Sequence, residues 1–110
     1  MSEAAGAENK RRGERSGIVK CSVELYGMIS DAVGVRSVEV DLDDGATLED
    51  LVGALRLKMP VLEGRVIRPG EHRLTARYTF NVNGRFYFDN YDVKVRCDDR
   101  ILLLTFPVGG

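Results

Sequence analysis

Two stretches near the start of the chain alternate between apolar and polar residues, the pattern of half-buried strands. The first covers 18–25, and its apolar positions are Val19, Cys21, Val23 and Leu25. The second covers 37–42, and its apolar positions are Val38, Val40 and Leu42. Residues 27–34 between them form a predicted turn region. The two stretches therefore predict a hairpin.

The chain then changes from a period of two to helical spacing. Thr47 suits the N-cap position, while Glu49 and Asp50 place negative charge in the first turn, where the helix dipole favours it. The apolar positions i, i+3, i+4 and i+7 form the stripe of an amphipathic helix: Leu48, Leu51, Val52 and Leu55. Pro60 ends this predicted helix near Lys58.

The second half of the chain contains further predicted strands. Residues 78–82 alternate again, and Asn83-Gly84 after them is a strong signal for a type I′ hairpin turn. A fourth strand is expected over 86–88. The last, over 101–106, begins with four consecutive apolar residues, which is typical of a central strand covered on both faces. Segments 63–74 and 89–99 are polar connections, and Val93-Lys94-Val95 in the second is a candidate short strand.

Composition favours one small domain. The chain has 110 residues, of which 44% are hydrophobic, and its formal net charge is −1. We expect residues 1–17 to be a solvated tail, 18–106 a folded domain and 107–110 a flexible tail. The even charge balance argues against nucleic acid as a partner. With no membrane-spanning run and no signal peptide, we expect a cytoplasmic protein.

Few residues of the chain are suited to catalysis or metal binding. His72 is the only histidine, and the two cysteines, Cys21 and Cys97, have no metal-ligand spacing. A metal site, a catalytic triad and a phosphate-binding glycine loop are therefore all unexpected. We predict no catalytic residues and no bound cofactor. Whether the two cysteines form a disulfide remains open.

Several short motifs, in order, give the chain a family resemblance. They are Val23-Glu24-Leu25-Tyr26-Gly27, Thr47-Leu48-Glu49-Asp50-Leu51, Asn81-Val82-Asn83-Gly84, Asp98-Asp99 and the terminal Gly109-Gly110. With the order of the predicted elements, they resemble the ubiquitin-like β-grasp sulfur carriers, especially the molybdopterin synthase small subunit and archaeal small modifiers. The resemblance implies an α+β fold: a mixed sheet of four to five strands with one main helix packed on one face. It also implies that the first and last strands are parallel at the sheet centre.

The resemblance places the chemistry at the C-terminus. In such carriers, a ubiquitin-activating-type enzyme uses ATP to join the terminal carboxylate to AMP. A sulfur donor or a thiol then attacks this anhydride. Gly110 is thus the predicted site of adenylation and covalent attachment. Gly109, Val108 and Pro107 are predicted to thread into the partner, because glycine lets the backbone approach closely and proline limits the entropy lost.

Three functions follow as alternatives. The first is a sulfur carrier that serves molybdopterin synthesis or tRNA thiolation, with the large molybdopterin synthase subunit as one acceptor. The second is a protein modifier joined through Gly110 to lysines of target proteins. The third is a non-covalent interaction module, for which the glycine pair is coincidental. The tail departs from the usual Pro-Pro-Val-(Ala or Ser)-Gly-Gly pattern, since Phe106-Pro107-Val108 precedes the glycines.

Two surfaces are candidates for contact with a partner. Leu102, Leu104 and Phe106 share one face of the last strand, and we predict that they dock the partner if no other element covers them. The second candidate is a charge asymmetry between the basic residues Arg56, Lys58, Arg65, Arg68, Arg73 and Arg77 and the acidic residues Glu39, Asp41, Asp43, Asp44, Glu49 and Asp50. This asymmetry either orients a partner or is simply a solvated surface.

Overall fold

A computed structural model describes residues 17–105, apart from the side chains of Met28 and Ala32. Within this range the chain forms five strands, two α-helices and one 3₁₀ turn. The strands are β1 (Ile18–Leu25), β2 (Ser37–Asp43), β3 (Tyr78–Val82), β4 (Arg85–Tyr87) and β5 (Ile101–Thr105). The helical elements are α1 (Met28–Val33), α2 (Leu48–Lys58) and the 3₁₀ turn Pro60–Leu62.

The strands form one mixed sheet in the order β2-β1-β5-β3-β4. Strands β1 and β2 are antiparallel, as the hairpin prediction requires, and Cys21 lies opposite Val40. Strand β5 runs parallel to β1 and antiparallel to β3, so the first and last strands meet at the sheet centre. The β-grasp architecture expected from the sequence is confirmed.

Helix α2 packs on one face of the sheet and closes the core. Its predicted apolar stripe is fully buried, with Leu48, Leu51, Val52 and Leu55 all at 0% exposure. Thr47 and Asp50 form a reciprocal capping box, in which the Asp50 carboxylate accepts from the Thr47 backbone N–H at 2.9 Å. From the sheet, Val23, Phe80 and Leu103 contribute side chains that are likewise 0% exposed.

Three predicted elements need correction. The turn region 27–34 contains the short helix α1, which ends at Gly34 in the left-handed conformation. The segment around Val93 is not a strand, because Lys94 makes only an isolated bridge with Thr47. Strand β4 begins one residue earlier than expected, at Arg85, because Asn83 (φ 54°) and Gly84 (φ 92°) complete the two-residue turn.

The last strand is central, as predicted, and the structure shows which of its two apolar sets lies under the helical layer. Strand β5 is central, and Ile101 and Leu103 are buried beneath the helical layer. Leu102 and Leu104 alternate onto the other face and are only half-buried. Within residues 17–105 no helix packs against that second face, here called the open face.

Candidate functional site

The predicted site residues fall on both sides of the last described position. Strand β5 ends at Thr105, and Phe106, Pro107, Val108, Gly109 and Gly110 lie outside the described residues. Of the predicted docking residues, Leu102 and Leu104 are described, and both lie on the open face. The site is therefore built from the sheet surface that leads to the tail.

An apolar patch occupies the open face beside β5. Leu102 lies between Glu24 of β1 and Asn81 of β3, and Leu104 lies opposite Thr79. Phe86 lies opposite Asn81 on the far side of β3. Its ring stacks on that of Phe88, with the centroids 6.1 Å apart. We define the apolar patch as Leu102, Leu104, Phe86 and Phe88.

The two phenylalanines were not predicted to belong to this site. Phe86 is 46% exposed and Phe88 is 49% exposed, although both are large apolar side chains. Their spacing of two residues in a predicted strand was the available signal, because alternation places them on one face. The sequence did not reveal how the strands pair, and it is the pairing of β4 with β3 and of β3 with β5 that brings Phe86 to the same face as Leu102.

Two polar residues lie buried within the patch, and both are hydrogen-bonded. The Thr79 hydroxyl, 1% exposed, donates to the Tyr87 carbonyl at 2.8 Å. The Asn81 side-chain oxygen accepts from the Gly84 N–H at 2.8 Å, which also fixes the β3–β4 turn. The Thr79 hydroxyl and the Asn81 side-chain oxygen therefore keep their hydrogen bonds when a partner covers the patch.

A polar cluster borders the patch on the β1 side. The Arg100 guanidinium donates to both carboxylate oxygens of Glu24, at 3.0 and 3.3 Å, and the Tyr26 hydroxyl donates to the same carboxylate at 2.6 Å. The bonds from Arg100 and Tyr26 lower the pKa of Glu24, and the same carboxylate raises the pKa of Arg100. The cluster gives this border fixed, directional polar groups.

The far half of the open face is acidic. Glu39, Asp41 and Asp43 of β2 are exposed on the same side as Lys20 and Ser22 of β1. The Lys20 ammonium lies 3.3 Å from the Asp41 carboxylate in an exposed pair, which contributes little stability. The open face therefore combines an apolar half on β5 and β4 with a negatively charged half along the edge strand β2.

The loop 63–74, which contains Arg65, Arg68 and Arg73, follows the helical layer and is ordered by hydrogen bonds of its own. Arg56 of α2 pairs with Glu63 and donates to the carbonyls of Arg68 and Glu71, so it acts inside the loop. Glu63 in turn accepts from the Gly70 N–H at 3.1 Å, and its bonds from Arg56 and Gly70 lower its pKa. Arg56 therefore does not belong to a free basic surface.

Tyr91 fixes the end of this loop. Its hydroxyl accepts from the Leu74 N–H at 3.0 Å, and the Arg73 guanidinium lies 5.4 Å from its ring centroid. Burial of Tyr91 raises the pKa of its phenol, against the lowering effect of the Leu74 bond. Arg65 in the loop and Arg77 after it are exposed. Arg68 is exposed as well, but its guanidinium donates to the Leu74 carbonyl at 3.4 Å.

The two cysteines are free thiols, which answers the question left open by the sequence. Cys21 is buried in β1 and Cys97 is exposed. Burial raises the pKa of Cys21, and the neighbouring Cys97 and Asp99 add to this effect. Among residues 17–105, no three or more His, Cys, Asp or Glu side chains are grouped to hold a metal ion. In the same range, no helix has the length and apolarity needed to cross a membrane.

Comparison with solved structures supports the architecture. SAMP1 from Haloferax volcanii superposes with a TM-score of 0.70 and 26% sequence identity, and the match covers 84% of this chain and 100% of that one. A protein from Pyrococcus furiosus assigned as molybdopterin converting factor subunit 1 superposes with a TM-score of 0.62 and 21% sequence identity. That match covers 79% of this chain and 97% of the Pyrococcus protein. No family model and no curated protein sequence matches the chain.

A third structure widens the range of relatives. CysO in the BexX/CysO complex from Amycolatopsis orientalis aligns over 82% of this chain and 99% of its own length, with a TM-score of 0.60 and 18% identity. At this identity, as for the Pyrococcus protein, the likeness concerns the fold. The chain thus has the ubiquitin-like β-grasp fold, and its structural neighbours are the sulfur carriers and small modifiers that its sequence resembles.

Proposed function

We propose that this chain is a sulfur carrier whose Gly110 carboxylate is adenylated by a ubiquitin-activating-type enzyme and then converted to a thiocarboxylate. The observation that supports this most is the position of β5. The strand lies at the centre of the sheet, and Gly110 is the fifth residue after its last member, Thr105. The sheet thus anchors the base of a short segment that ends in two glycines.

The chemistry needs no catalytic group from the carrier. A carboxylate oxygen of Gly110 attacks the α-phosphorus of ATP, and pyrophosphate leaves. Hydrosulfide then attacks the acyl carbon and expels AMP, so a C–S bond replaces a C–O bond without a change of oxidation state. A terminal carboxylate has an ordinary pKa near ~3.5 and is ionised at neutral pH. Glycine at the last two positions leaves the carbonyl unhindered.

The carrier contributes recognition through the open face. The apolar patch provides an area that a partner covers to gain hydrophobic free energy. Beside it, the Glu24–Arg100 pair gives direction to the contact, because a bidentate arginine–carboxylate pair holds its geometry. The activating enzyme and the acceptor enzyme both need the tail, so we expect them to use this face in turn.

For the acceptor, we favour the large subunit of molybdopterin synthase, and a tRNA-thiolation enzyme is the other choice. The Pyrococcus neighbour assigned as molybdopterin converting factor subunit 1 supports the first. In that case the chain would be the non-catalytic small subunit of an enzyme complex. We place it in the cytoplasm, where the activating enzyme has its ATP.

A second function, protein modification, is favoured by a different observation. Two of the neighbours at 26% identity are structures of SAMP1, a small archaeal modifier protein. In this case, a lysine amine of a target protein would attack the activated Gly110, and the product would be an isopeptide bond. Both functions begin with the same adenylate. A non-covalent module would use the open face but would not need Gly110.

Intact mass spectrometry tests the proposal. The chain is incubated with the adenylating enzyme of its source organism, ATP and sulfide, and we expect a mass gain of one oxygen-to-sulfur exchange. A matched chain that lacks Gly109-Gly110 should gain nothing. A mass gain that persists without the glycines would contradict the assignment of Gly110.

Expressing an epitope-tagged form of the chain in cells distinguishes the sulfur-carrier function from the protein-modifier function. A ladder of larger tagged proteins that disappears when Gly109-Gly110 is deleted would support the modifier function. Its absence, together with the mass gain above, would support the carrier. If deletion changes neither result, the interaction module is the better explanation.

A further inference from the structure

An apolar cleft lies on the helix side of the sheet, between α1, the 3₁₀ turn with the loop after it, and the start of β3. Its volume is about 340 Å³, near the lower end of the range of small-molecule sites. Tyr78 lines the cleft and precedes Thr79, which lies opposite Leu104 on the open face. Because neighbouring residues of a strand alternate between the two faces, the cleft and the apolar patch lie on opposite sides of the sheet.

The floor of the cleft belongs to the hydrophobic core. Ile29 and Leu62 are each 1% exposed, and Val66 is 3% exposed. Tyr78 is half-buried in the wall, and Val61 is 47% exposed at the mouth. The packing of the core therefore holds the floor in place before any ligand arrives, and a ligand that covers the mouth removes further apolar area from water.

The charge at the cleft is positive. Arg65 lines it and is exposed, and none of the described lining residues is acidic. Among residues 17–105, no carboxylate pairs with the Arg65 guanidinium. By contrast, Arg56 is occupied by Glu63, and Arg68 donates to the Leu74 carbonyl. An arginine beside apolar walls suits a carboxylate, because the planar guanidinium matches that group in two parallel hydrogen bonds.

We propose that this cleft is a binding site for a small amphipathic carboxylate, with the apolar body of the ligand against the buried floor and its carboxylate paired with Arg65. An amphipathic cation with the same apolar body meets no counter-charge from the described lining residues, so the site discriminates by charge. The site goes beyond the sulfur-carrier function proposed above and does not depend on it. Since the open face is on the other side of the sheet, ligand and partner can be bound together.

Decanoate is a suitable probe, and decylammonium is its matched control, because the two share an apolar chain and differ in the sign of the charged group. The open mouth at Val61 leaves part of a bound chain in water, so the gain per atom is small. We expect decanoate to bind with a Kd on the order of 1 mM. Decylammonium should bind several-fold more weakly.

Methyl NMR of the full chain, with no enzyme present, locates the site. Titration with decanoate should shift the methyl signals of Ile29, Val61 and Val66 along one saturable curve. The methyl signals of Leu102 and Leu104 report on the apolar patch of the open face, and they should stay in place. They distinguish binding in the cleft from unspecific adhesion to any exposed apolar surface.

Matched variants separate the cleft from general effects of charge. Arg65→Gln should weaken decanoate binding roughly two- to fivefold, as expected for an exposed ion pair, without weakening that of decylammonium. Val61→Asp puts a negative charge at the mouth and should abolish decanoate binding. Val35→Asp changes a valine that is 42% exposed and is not among the lining residues, so it should retain binding. Thermal unfolding shows that the variants are folded.

The proposal is overturned if the cleft methyl signals do not move at about 10 mM decanoate, tenfold above the expected Kd. It is equally overturned if Leu102 and Leu104 shift as strongly as the cleft, or if decylammonium binds as tightly as decanoate. None of these results bears on Gly110. A chain that binds decanoate but is never adenylated supports the cleft and counts against the proposed function, and an adenylated chain that fails to bind decanoate does the reverse.

Discussion

Gly27 lies directly against Thr105, where the first loop of the fold meets the end of the last described strand. A Cβ atom on Gly27 would be 3.3 Å from the Thr105 hydroxyl oxygen. Gly27 also has φ 72° and ψ −142°, a conformation open to glycine and costly for other residues. A side chain at position 27 would therefore strain the backbone and crowd Thr105, the last described residue before the tail.

Gly27→Ala should destabilise the fold by roughly 1–3 kcal/mol, because it combines an unfavourable backbone conformation with crowding at Thr105. Gly34→Ala is a matched control. It has positive φ in the ordinary left-handed region and no atom within 4 Å of its added Cβ, so we expect only the backbone cost of about 1 kcal/mol. Urea denaturation measures both. Equal costs would show that the contact with Thr105 is unimportant.

Alanine substitutions at two neighbouring leucines of β5 should have different effects, one mainly on stability and the other mainly on partner recognition. Leu103 is fully buried, so Leu103→Ala should cost about 2–5 kcal/mol. Leu102 is half-buried on the open face, and Leu102→Ala should cost less while reducing the rate of adenylation at least several-fold. Chemical denaturation measures the loss of stability, and the kinetics of adenylation measure the loss of recognition. Normal activation of Leu102→Ala and Leu104→Ala would exclude the open face as the docking surface.

Acid should reduce the stability contributed by the hydrogen-bonded cluster of Glu24, Arg100 and Tyr26 beside the apolar patch. Because Arg100 and Tyr26 lower the pKa of Glu24, the folded state keeps this carboxylate ionised where the unfolded chain has already taken up a proton. Its stabilising contribution is complete above the unfolded pKa of about 4.3 and is lost as the pH falls through the lower folded value. Below about pH 5, Glu24→Gln should therefore lose thermal stability less steeply than the parent chain.

Thermal unfolding between about pH 6 and 3 checks this prediction. Glu39→Gln is the control, because within residues 17–105 no side chain forms a hydrogen bond or ion pair with Glu39. Its pH profile should follow that of the parent. Parallel profiles for Glu24→Gln and the parent would show that the Arg100 contact is absent in solution.

Arg56 should control the order of the loop at 63–74. Arg56→Gln removes the partner of Glu63 and the donor to two loop carbonyls, so the Gly70 amide should lose its fixed acceptor. We expect its hydrogen exchange to accelerate several-fold. Arg96→Gln is the control, because it removes only an exposed contact with Asp98 at 3.7 Å, and it should leave the exchange rate of the Gly70 amide unchanged. Unchanged exchange in Arg56→Gln would mean that the loop is held by its backbone bonds alone.

Local patterns of the sequence were sufficient for most of the fold. The helix could be predicted from Thr47 and its apolar stripe, and the β3–β4 turn from Asn83-Gly84, because capping and turn chemistry act over a few residues. Helix α1 could not be predicted in this way, because six residues are too few to show a helical repeat of apolar positions. The glycines at its two ends, Gly27 and Gly34, also resemble those of a turn.

The site depended on information that a local pattern does not contain. Leu102 and Leu104 could be assigned to one face, yet which face the helix covers is decided by the pairing of β5 with β1 and β3. The same pairing brings Phe86 to the patch from an edge strand. Arg56 looked like a surface cation because its partners, Glu63 and the Glu71 carbonyl, lie across a long loop.

ATP–pyrophosphate exchange catalysed by the adenylating enzyme measures the activation of Gly110 most directly. Labelled pyrophosphate should enter ATP when the full chain is present, because formation of the acyl-adenylate is reversible. A chain ending at Val108 keeps the whole described domain and should support no exchange above background. Exchange at the full rate with that shorter chain, or none with the full one, would contradict the account.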